Sequence, residues 1–344
     1  MSSGVPSKIQ AVVITETGDF DVIKKIEVPF AAPAKDQIVI KVNYAGINFI
    51  DNYFRQGLYP VKSFPAQFGT EAAGTIVSLP SDESVLNDEE YKLRGFAPGA
   101  KVVALTFGAY AEYISVSWKD VYVVPPSISL KVAGAIFTQG GTALTFITEA
   151  YNVKKGDIVF VHTVAGGFGL AVAQLAKARG ATVIGTTSTK EKAEIAKAHG
   201  ADHVILYKEE DTVKRVNELT NGEGVHVVYD GVGKDTHEID FKLVRRKGTI
   251  VFVGNASGPV PPIAPLKLVE KNIKLVRPTL KNYIYTPEEG RTYISQLFDA
   301  VSKQELKVLI HKEYPFTSEG VIEAEKDLTG GRSIGKLLVK VADE

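Results

Sequence analysis

The spacing of apolar and polar residues divides the chain into two kinds of sequence. Over roughly the first 130 residues, short apolar runs are separated by turn residues, and they predict strands at residues 11–14, 37–42, 74–77 and 101–104. From about Ser129 onward, short apolar runs alternate with amphipathic helical stretches, which is the pattern of parallel βαβ units. The pattern therefore predicts a β-rich first domain followed by an α/β domain.

The α/β stretch predicts parallel strands at residues 158–162, 182–186, 203–206, 226–229 and 249–253. Helices are predicted between and after these strands at residues 168–179, 190–199, 212–220 and 234–244. A further helix at 287–302 and a strand at 336–340 follow, and we expect this tail to return to the first domain. The predicted fold class is α/β, with a doubly wound parallel Rossmann sheet inserted into a mostly β domain.

Two kinds of polar residue are predicted to lie at the surface. Residues 81–94 are acidic and polar, so we expect a solvated loop there, with a docking patch as the alternative. The six histidines form no pair that suits a metal, because His199 and His203 flank Gly200 at a predicted helix end. We therefore expect the histidines to be surface residues.

Composition excludes several classes of function. Forty Lys and Arg residues balance forty Asp and Glu residues, so there is no basic excess for a nucleic-acid backbone. The chain has no cysteine, which excludes disulfides, thiolate nucleophiles and cysteine-ligated metals. The apolar stretch 158–176 contains His162 and Gln174, so it predicts a strand and a helix rather than a membrane span. With a short polar N-terminus, a cytoplasmic location is expected.

A glycine-rich turn joins the first α/β strand to its helix. Gly166 and Gly169 match the second and third glycines of the G-x-G-x-x-G pattern, whereas Val164 stands at the first position. Glycine lets the backbone approach a diphosphate closely, and a helix N-terminus offers N–H groups to the anion. The turn therefore predicts a dinucleotide site, with a tight turn that binds no ligand as the alternative.

The end of the next strand indicates which dinucleotide is bound. Enzymes that use NAD carry an Asp or Glu here for the ribose 2′-hydroxyl. Residues 185–189 instead end in hydroxyl side chains, including Thr187 and Ser188, and Lys190 and Lys192 follow. This composition favours the 2′-phosphate of NADPH, although ordinary surface lysines would give the same sequence.

Longer stretches at 45–60 and 69–74, and short motifs at 165–169, 229–233, 254–258 and 335–336, carry a family resemblance. On these residues the chain resembles the medium-chain dehydrogenase/reductase superfamily, and within it the zeta-crystallin-like quinone oxidoreductases. The resemblance covers nearly the whole chain. It implies a GroES-like catalytic domain over residues 1–128 and 272–344, a Rossmann NADPH-binding domain over 129–271, and a homodimer formed through the Rossmann sheet.

The zinc-dependent members of the superfamily differ from this chain at their metal ligands. They carry a cysteine where Asn48 stands, a histidine where Thr70 stands, and a four-cysteine lobe after the strand that ends near Ala104. We therefore expect no metal. The resemblance implies hydride transfer from NADPH to an ortho-quinone or a similar conjugated acceptor, a chemistry that positioning and desolvation can support.

The resemblance also implies which residues form the site. Asn48 and Tyr53 are expected near the nicotinamide and the acceptor, and Tyr59 at the mouth of the pocket; a tyrosine hydroxyl could hydrogen-bond or protonate the oxyanion. The predicted cofactor contacts are Asn48, Thr142, Ala165, Gly166, Gly167, Phe168, Gly169, Thr187, Ser188, Lys192, Tyr207, Gly231, Val253, Asn255 and Arg332.

Some of these roles have structural alternatives. Tyr53 could be a packed aromatic residue and Asn48 a turn amide. Thr142 is expected at a helix start, where it could serve only as an N-terminal cap. Two other functions stay open as well: reduction of an enone or alkenal double bond, and weak binding of AU-rich RNA, which the resemblance also implies.

Overall fold

The computed structural model describes residues 5–344 and divides into two compact units. The β-rich unit comprises Met1–Thr138, Ile284–Ser302 and Val308–Glu344, and the Rossmann unit comprises Gln139–Tyr283 and Lys303–Lys307. Both main divisions therefore lie further along the chain than the boundaries predicted after residues 128 and 271.

The N-terminal part of the β-rich unit consists of short strands and three short helices. Its elements are β1 (Lys8–Ile14), β2 (Ile23–Pro29), β3 (Gln37–Gly46), α1 (Phe49–Arg55), β4 (Ala66–Gln67), β5 (Glu71–Ser78), α2 (Glu83–Asn87), α3 (Glu89–Arg94), β6 (Lys101–Leu105), β7 (Tyr113–Ser117) and β8 (Val121–Val123). Apolar side chains that alternate along these strands, such as Ile38, Ile40 and Val42, form the buried core of this unit.

The Rossmann unit continues from α4 (Leu130–Thr145), which ends in a π-helical turn at Phe146–Ala150. Its elements are β9 (Ile158–Val161), α5 (Gly167–Ala178), β10 (Thr182–Thr187), α6 (Lys190–Ala198), β11 (His203–Leu206), α7 (Thr212–Leu219), β12 (Val225–Asp230), α8 (His237–Leu243), β13 (Val244–Phe252), β14 (Lys274–Val276) and α9 (Leu280–Tyr283). The strands form one parallel sheet in the order β11-β10-β9-β12-β13-β14. This order confirms the predicted doubly wound sheet. Successive strands are added in one direction from β9 to β11 and in the other from β12 to β14, and such sheets bind ligands at the junction of β9 and β12.

The C-terminal tail returns to the β-rich unit, as predicted. It forms α10 (Pro287–Ser302), β15 (Ile310–Pro315), α11 (Ser318–Thr329) and β16 (Lys336–Lys340). Strand β16 pairs antiparallel with β3, with Leu338 opposite Gly46, and joins the sheet of order β15-β16-β3-β5-β6-β8. Because of this pairing, the start of β16 lies beside the end of β3, immediately before α1.

The loop predicted at residues 81–94 is wrong, because this segment forms α2 and α3. Two of its acidic residues are helix caps: Asp82 accepts the N–H of Ser84 at 2.9 Å, and Asp88 accepts that of Tyr91 at 3.0 Å. The segment ends in a buried arginine, Arg94. The acidic side chains therefore lie largely at the surface, as expected, but on two short helices rather than in a loop.

The surface position predicted for the histidines is wrong for His162 and His237, which are both buried. His162 directly follows β9 at the start of the glycine-rich turn. Within residues 5–344, no helix combines the length and apolarity that crossing a membrane would need.

Candidate functional site

The glycine-rich turn contains the predicted residues Ala165, Gly166, Gly167, Phe168 and Gly169. Helix α5 begins at Gly167, and Gly166 before it is extended, with φ −76° and ψ 167°. A Cβ on Gly169 would lie 2.6 Å from Val164 Cα, so only glycine allows this helix to pack so closely on the turn. The turn thus brings the N–H groups at the start of α5 to the end of β9, the arrangement that binds a diphosphate.

Val164, which replaces the first glycine of the pattern, is accommodated by a glycine elsewhere. Its side chain fills the space beside Gly185 in β10, where an added Cβ would lie 2.4 Å from Val164 Cβ. The small residue that the pattern places in the turn is therefore supplied by the neighbouring strand. This exchange explains how the turn forms without the first glycine.

The turn is tied to β10 by hydrogen bonds. Val164 N donates to Thr186 O at 2.9 Å, and Thr163 N donates to the Thr186 hydroxyl at 3.3 Å. Thr163 adopts the left-handed region with φ 55°, which is uncommon for a residue other than glycine. These bonds hold the backbone of the turn in a fixed position relative to the sheet.

A buried polar cluster formed by His162, Asp230 and Asp240 lies beneath this turn. The His162 ring bonds Asp240 Oδ1 through Nε2 at 2.9 Å and the Thr186 hydroxyl through Nδ1 at 3.3 Å. Burial raises the pKa of Asp240 to about 7, although the hydrogen bond and charge of His162 act in the opposite direction. Burial lowers the pKa of His162, but its hydrogen bond and charge contact with Asp240 outweigh this, so its pKa is raised.

The three side chains of this cluster lie close enough to ligate one ion. However, Asp230 already uses both of its oxygens within the protein. Oδ1 accepts the N–H groups of Val232 and Gly233 at 2.7 and 3.1 Å, and Oδ2 accepts the Thr236 hydroxyl at 2.8 Å. The cluster therefore serves as an internal support for the strand ends.

The end of β10 brings two lysines close together. Thr187 is the last residue of β10, Ser188 follows it, and Tyr207 N donates to Thr187 O at 3.2 Å. Partial burial lowers the pKa of Lys192; nearby Lys208 also lowers it, whereas Glu191 raises it. Lys192, in the first turn of α6, and Lys208, which follows Tyr207, therefore both lie near the end of β10. Lys208 was not among the predicted cofactor contacts, because it lies near the end of β10 only through the pairing of β11 with β10.

Gly231, Val253 and Asn255 lie in the loops that follow the next two strands. Gly231 follows β12, and Val253 follows β13 and donates its N–H to Asp230 O at 2.6 Å. A Cβ added to Gly231 would meet no protein atom within 4 Å. The space beside Gly231 is open, as a cofactor crevice requires.

The helix-start position predicted for Thr142 is wrong, and the N-terminal cap with it. Thr142 lies in the last turn of α4, so the glycine pair at 140–141 stands inside a helix rather than before one. One turn earlier, Gln139 reaches the glycine-rich turn: a Cβ on Gly167 would lie 1.6 Å from Gln139 Oε1. A polar side chain thus covers the Gly167 backbone, which the sequence did not indicate.

In the β-rich unit, Asn48 belongs to a polar cluster with Thr70, Glu71 and Lys336. Asn48 Nδ2 donates to Glu71 Oε1 at 2.9 Å, and Lys336 Nζ donates to Asn48 Oδ1 at 2.7 Å. Lys336 also forms a salt bridge with Glu71, and both side chains are buried. Lys336 and Glu71 therefore form an ion pair against Asn48, one of the positions where the zinc-dependent members have metal ligands.

Asp51 is a second buried carboxyl in this cluster. It accepts the Tyr110 hydroxyl at 2.6 Å, the Asn48 N–H at 2.8 Å and the Thr70 hydroxyl at 3.1 Å. Burial raises the pKa of Asp51 to about 6, although these hydrogen bonds and Lys336 act to lower it. The carboxyl fixes the start of α1 to the start of β5.

Tyr53 and Tyr59 belong to an aromatic cluster with Phe54 and Phe107. The ring centroids of Tyr53 and Tyr59 are 5.5 Å apart, and those of Phe54 and Phe107 are 4.8 Å apart. Phe107 is 46% exposed and follows Thr106, whose N–H donates to Thr70 O at 3.1 Å. The aromatic cluster therefore lies beside the polar cluster.

Arg332, predicted to reach the cofactor, lies after α11 and bonds Asp327 Oδ1 at 2.8 Å. Four residues further on, Lys336 belongs to the short motif at residues 335–336. Its role could not be recognised from the sequence, because its partner Asn48 is 288 residues away.

Known proteins share both parts of this arrangement. The family described as "Alcohol dehydrogenase GroES-like domain" matches residues 34–126, and the family described as "Zinc-binding dehydrogenase" matches residues 167–299. A probable quinone oxidoreductase of Schizosaccharomyces pombe is 40% identical over 332 residues, which are 95% of this chain and 96% of the relative. The chain belongs to the quinone oxidoreductase family. The resemblance inferred from its motifs is thereby confirmed.

Two further relatives of this family bear on the chemistry. A structure of Escherichia coli quinone oxidoreductase complexed with NADPH aligns with a TM-score of 0.90 and 34% identity, over 96% of this chain and 100% of that chain. A 2-haloacrylate reductase of Burkholderia is 32% identical over 341 residues, which are 96% of this chain and 98% of the relative. Although one matching family is described as zinc-binding, this member of the quinone oxidoreductases has no cysteine.

Proposed function

We propose that the protein is an NADPH-dependent quinone reductase that transfers hydride to ortho-quinones or similar conjugated acceptors without a metal. The observation that carries the proposal is the glycine-rich turn of the Rossmann unit, together with the lysine pair at the end of β10, in a member of the quinone oxidoreductase family. A relative of similar fold is solved with NADPH.

The residues of the Rossmann unit fit this cofactor. The N–H groups at the start of α5 suit the diphosphate, the open space at Gly231 accommodates the chain of the dinucleotide, and Lys192 and Lys208 suit the 2′-phosphate. When bound, NADPH supplies the hydride. The protein's own contribution is to orient the cofactor and exclude water.

The residues of the β-rich unit suit a planar acceptor with a carbonyl oxygen. Asn48 offers amide N–H donors to the developing negative charge on that oxygen, and Lys336 supplies a fixed positive charge nearby. Tyr59 and Phe107 offer aromatic surface for the acceptor ring, whereas Tyr53 is buried and packs edge-on against Tyr59. A quinone accepts hydride readily, so these donors suffice without a Lewis acid.

A cofactor-oxidation assay with ortho-quinones, para-quinones and enones tests the function. We expect NADPH oxidation with ortho-quinones, and a rate with NADH that is lower at equal concentration. Oxidation with enones alone would replace the quinone assignment by the second candidate, double-bond reduction. That candidate is favoured by the similarity to 2-haloacrylate reductase.

The substitution Lys192→Glu tests the account of cofactor choice. Reversing this charge beside Lys208 should raise the KM for NADPH by about tenfold or more, and leave that for NADH within about twofold, since only NADPH carries the 2′-phosphate. Lys197→Glu, on the exposed part of α6, is the matched control and should change neither value. Equal losses for both cofactors in Lys192→Glu would contradict the account.

A homodimer formed through the Rossmann sheet is part of the same proposal. β14 is the end strand of that sheet, and Leu266 and Val269 before it are exposed. The cytoplasmic location and weak RNA binding stay predictions.

A further inference from the structure

Lys336, Asn48 and Glu71 form a closed ring of hydrogen bonds in the β-rich unit. Lys336 Nζ donates to Asn48 Oδ1 at 2.7 Å, Asn48 Nδ2 donates to Glu71 Oε1 at 2.9 Å, and Lys336 closes the ring by its salt bridge with Glu71. None of the roles considered so far explains why the Asn48 amide is hydrogen-bonded to both members of this ion pair.

The ring allows only one orientation of the Asn48 amide. An ammonium group can only donate hydrogen bonds, and an ionised carboxylate can only accept them. If the amide were flipped, its NH₂ group would face Lys336 and its oxygen would face Glu71, so both contacts would be lost. The two charges therefore fix which end of the amide points in which direction.

Both charged partners are held in place by other contacts. Glu71 Oε2 accepts the N–H of Thr138 at 2.8 Å, and Gly46 leaves room for Glu71, since a Cβ there would lie 2.1 Å from Glu71 Oε1. Lys336 N donates to Leu309 O at 2.9 Å, and Gly335 before it has φ 70°, a conformation that favours glycine. The ring is therefore a rigid part of the unit.

One N–H of Asn48 has only long contacts inside the protein. Nδ2 lies 3.3 Å from Gly46 O and 3.4 Å from the Thr70 hydroxyl, at the upper end of the hydrogen-bond range. Asn48 is partly exposed, whereas Lys336 and Glu71 are buried. The second N–H of Nδ2 is thus the donor of this ring that can reach a bound molecule.

We propose that Lys336 is a positioning residue for the reduction, which fixes and polarises the Asn48 amide so that its second N–H binds the carbonyl oxygen of the acceptor. This inference rests on the proposed function. In the reaction, the quinone takes one hydride from NADPH, which leaves NADP⁺, and one proton from water, to give the hydroquinone. The Asn48 N–H stabilises the negative charge on the oxygen until that proton arrives, and donation from Lys336 to Oδ1 strengthens it.

The proposal predicts an effect that depends on the acceptor. An enone needs more stabilisation of its developing oxyanion than a quinone does, so it should depend more on this N–H. In Lys336→Met, we expect kcat to fall about tenfold for an ortho-quinone and about a hundredfold for an enone, with the KM for NADPH within about twofold. A purely structural role would lower both rates equally.

A double-mutant cycle tests whether Lys336 acts through Asn48. In an Asn48→Ala background, Lys336→Met should lower kcat by less than about twofold, because the amide it positions is gone. The proposal would be overturned if Lys336→Met lowered kcat equally in the presence and absence of Asn48. It would also be overturned if a folded Lys336→Met protein kept an unchanged kcat. If the unmodified protein failed to oxidise NADPH with any of the quinones tested, the proposed function itself would be rejected.

Lys336→Met leaves the Glu71 carboxylate buried without its partner, and this can prevent folding. The double variant Glu71→Gln/Lys336→Met removes both charges and avoids that cost. It should show the same acceptor-dependent loss, measured on protein whose thermal unfolding is cooperative. Equal activity of this variant and the unmodified enzyme on both acceptors would also refute the proposal.

Discussion

At the scale of single residues, the glycines of the Rossmann unit separate two reasons for a missing side chain. Gly169 has no space for a Cβ because the backbone of Val164 lies 2.6 Å from that position. Gly231 has no protein atom within 4 Å of the same position. The fold therefore requires the first glycine, whereas a bound molecule is the reason we propose for the second.

We expect Gly169→Ala and Gly231→Ala to differ in which property they change. Gly169→Ala should lower the free energy of unfolding by about 2 kcal/mol or more, because backbone must move to admit the methyl group. Gly231→Ala should leave stability within about 0.5 kcal/mol but weaken NADPH binding. Denaturant unfolding and cofactor titration measure the two properties, and full NADPH affinity in Gly231→Ala would contradict the assignment.

A pH effect is predicted for Asp240. Its pKa, raised by burial to about 7 in the folded protein, lies above that in the unfolded chain, so its protonated form is favoured by folding. Its stabilising contribution is complete below about pH 4 and is lost as the pH rises through about 7.

The stability of the unmodified protein should therefore fall relative to Asp240→Asn between pH 5 and pH 8, by at most about 1.4 kcal/mol per pH unit. Unfolding by denaturant at several pH values measures this difference. Asp235→Asn, at an exposed position nearby, should show a constant difference instead. A constant stability difference between the unmodified protein and Asp240→Asn over this range would show that Asp240 is ionised throughout, and would contradict the prediction.

Single residues were also where the sequence was least informative. The glycine-rich turn could be predicted because its strand, glycines and helix are adjacent in the chain. The buried clusters of Lys336 and His162 could not, because their partners are distant: Asn48 lies 288 residues from Lys336, and Asp240 lies 78 residues from His162. A buried charge is recognisable only once its partner is known.

At the scale of elements, the segment α2–α3 is held by Arg94. Its guanidinium donates to Val121 O at 2.5 Å and to Pro287 O at 2.8 Å, and it stacks 4.3 Å from the Tyr122 ring. The sequence predicted a loop because the segment is acidic and polar; its acidic side chains do lie at the surface, but Asp82 and Asp88 also cap two short helices. The predicted strands and helices of the Rossmann unit shared no such ambiguity, because their apolar runs have a clear period.

Arg94→Ala should therefore lower the free energy of unfolding by about 2–4 kcal/mol, because the buried carbonyl of Val121 and the partly buried carbonyl of Pro287 lose a charged donor. Lys92→Ala, on the exposed face of the same helix, should cost less than about 0.5 kcal/mol. Denaturant unfolding of the two variants provides the measurement. Equal free energies of unfolding for Arg94→Ala and Lys92→Ala would mean that Arg94 does not fix α3.

At the scale of the whole molecule, the type of sheet could be predicted from the sequence more readily than the assembly. The α/β alternation predicted the parallel sheet and the returning tail, and both are present. The sequence alone could not fix the residues that would join two copies, since an exposed leucine and a buried one look alike in a sequence. Leu266, 79% exposed before the end strand β14, became a candidate only in the structure.

We expect a native mass of two chains, and Leu266→Glu combined with Val269→Glu should give a single-chain mass. Light scattering coupled to size exclusion measures both. The exposed Leu93, in the β-rich unit, offers a control: Leu93→Glu should leave the mass unchanged. A single-chain mass for the unmodified protein would reject the homodimer.

The hydrogen bond from Thr138 N to Glu71 also gives the protein a built-in reporter. Thr138 is the last residue of the β-rich unit in α4, and its amide proton points at the carboxylate that Lys336 neutralises. The chemical shift and the hydrogen-exchange rate of this one amide therefore register the charge of the ring. A spectroscopist could therefore read there whether the Lys336–Glu71 pair is intact in each variant of the ring, without labelling either the cofactor or the quinone.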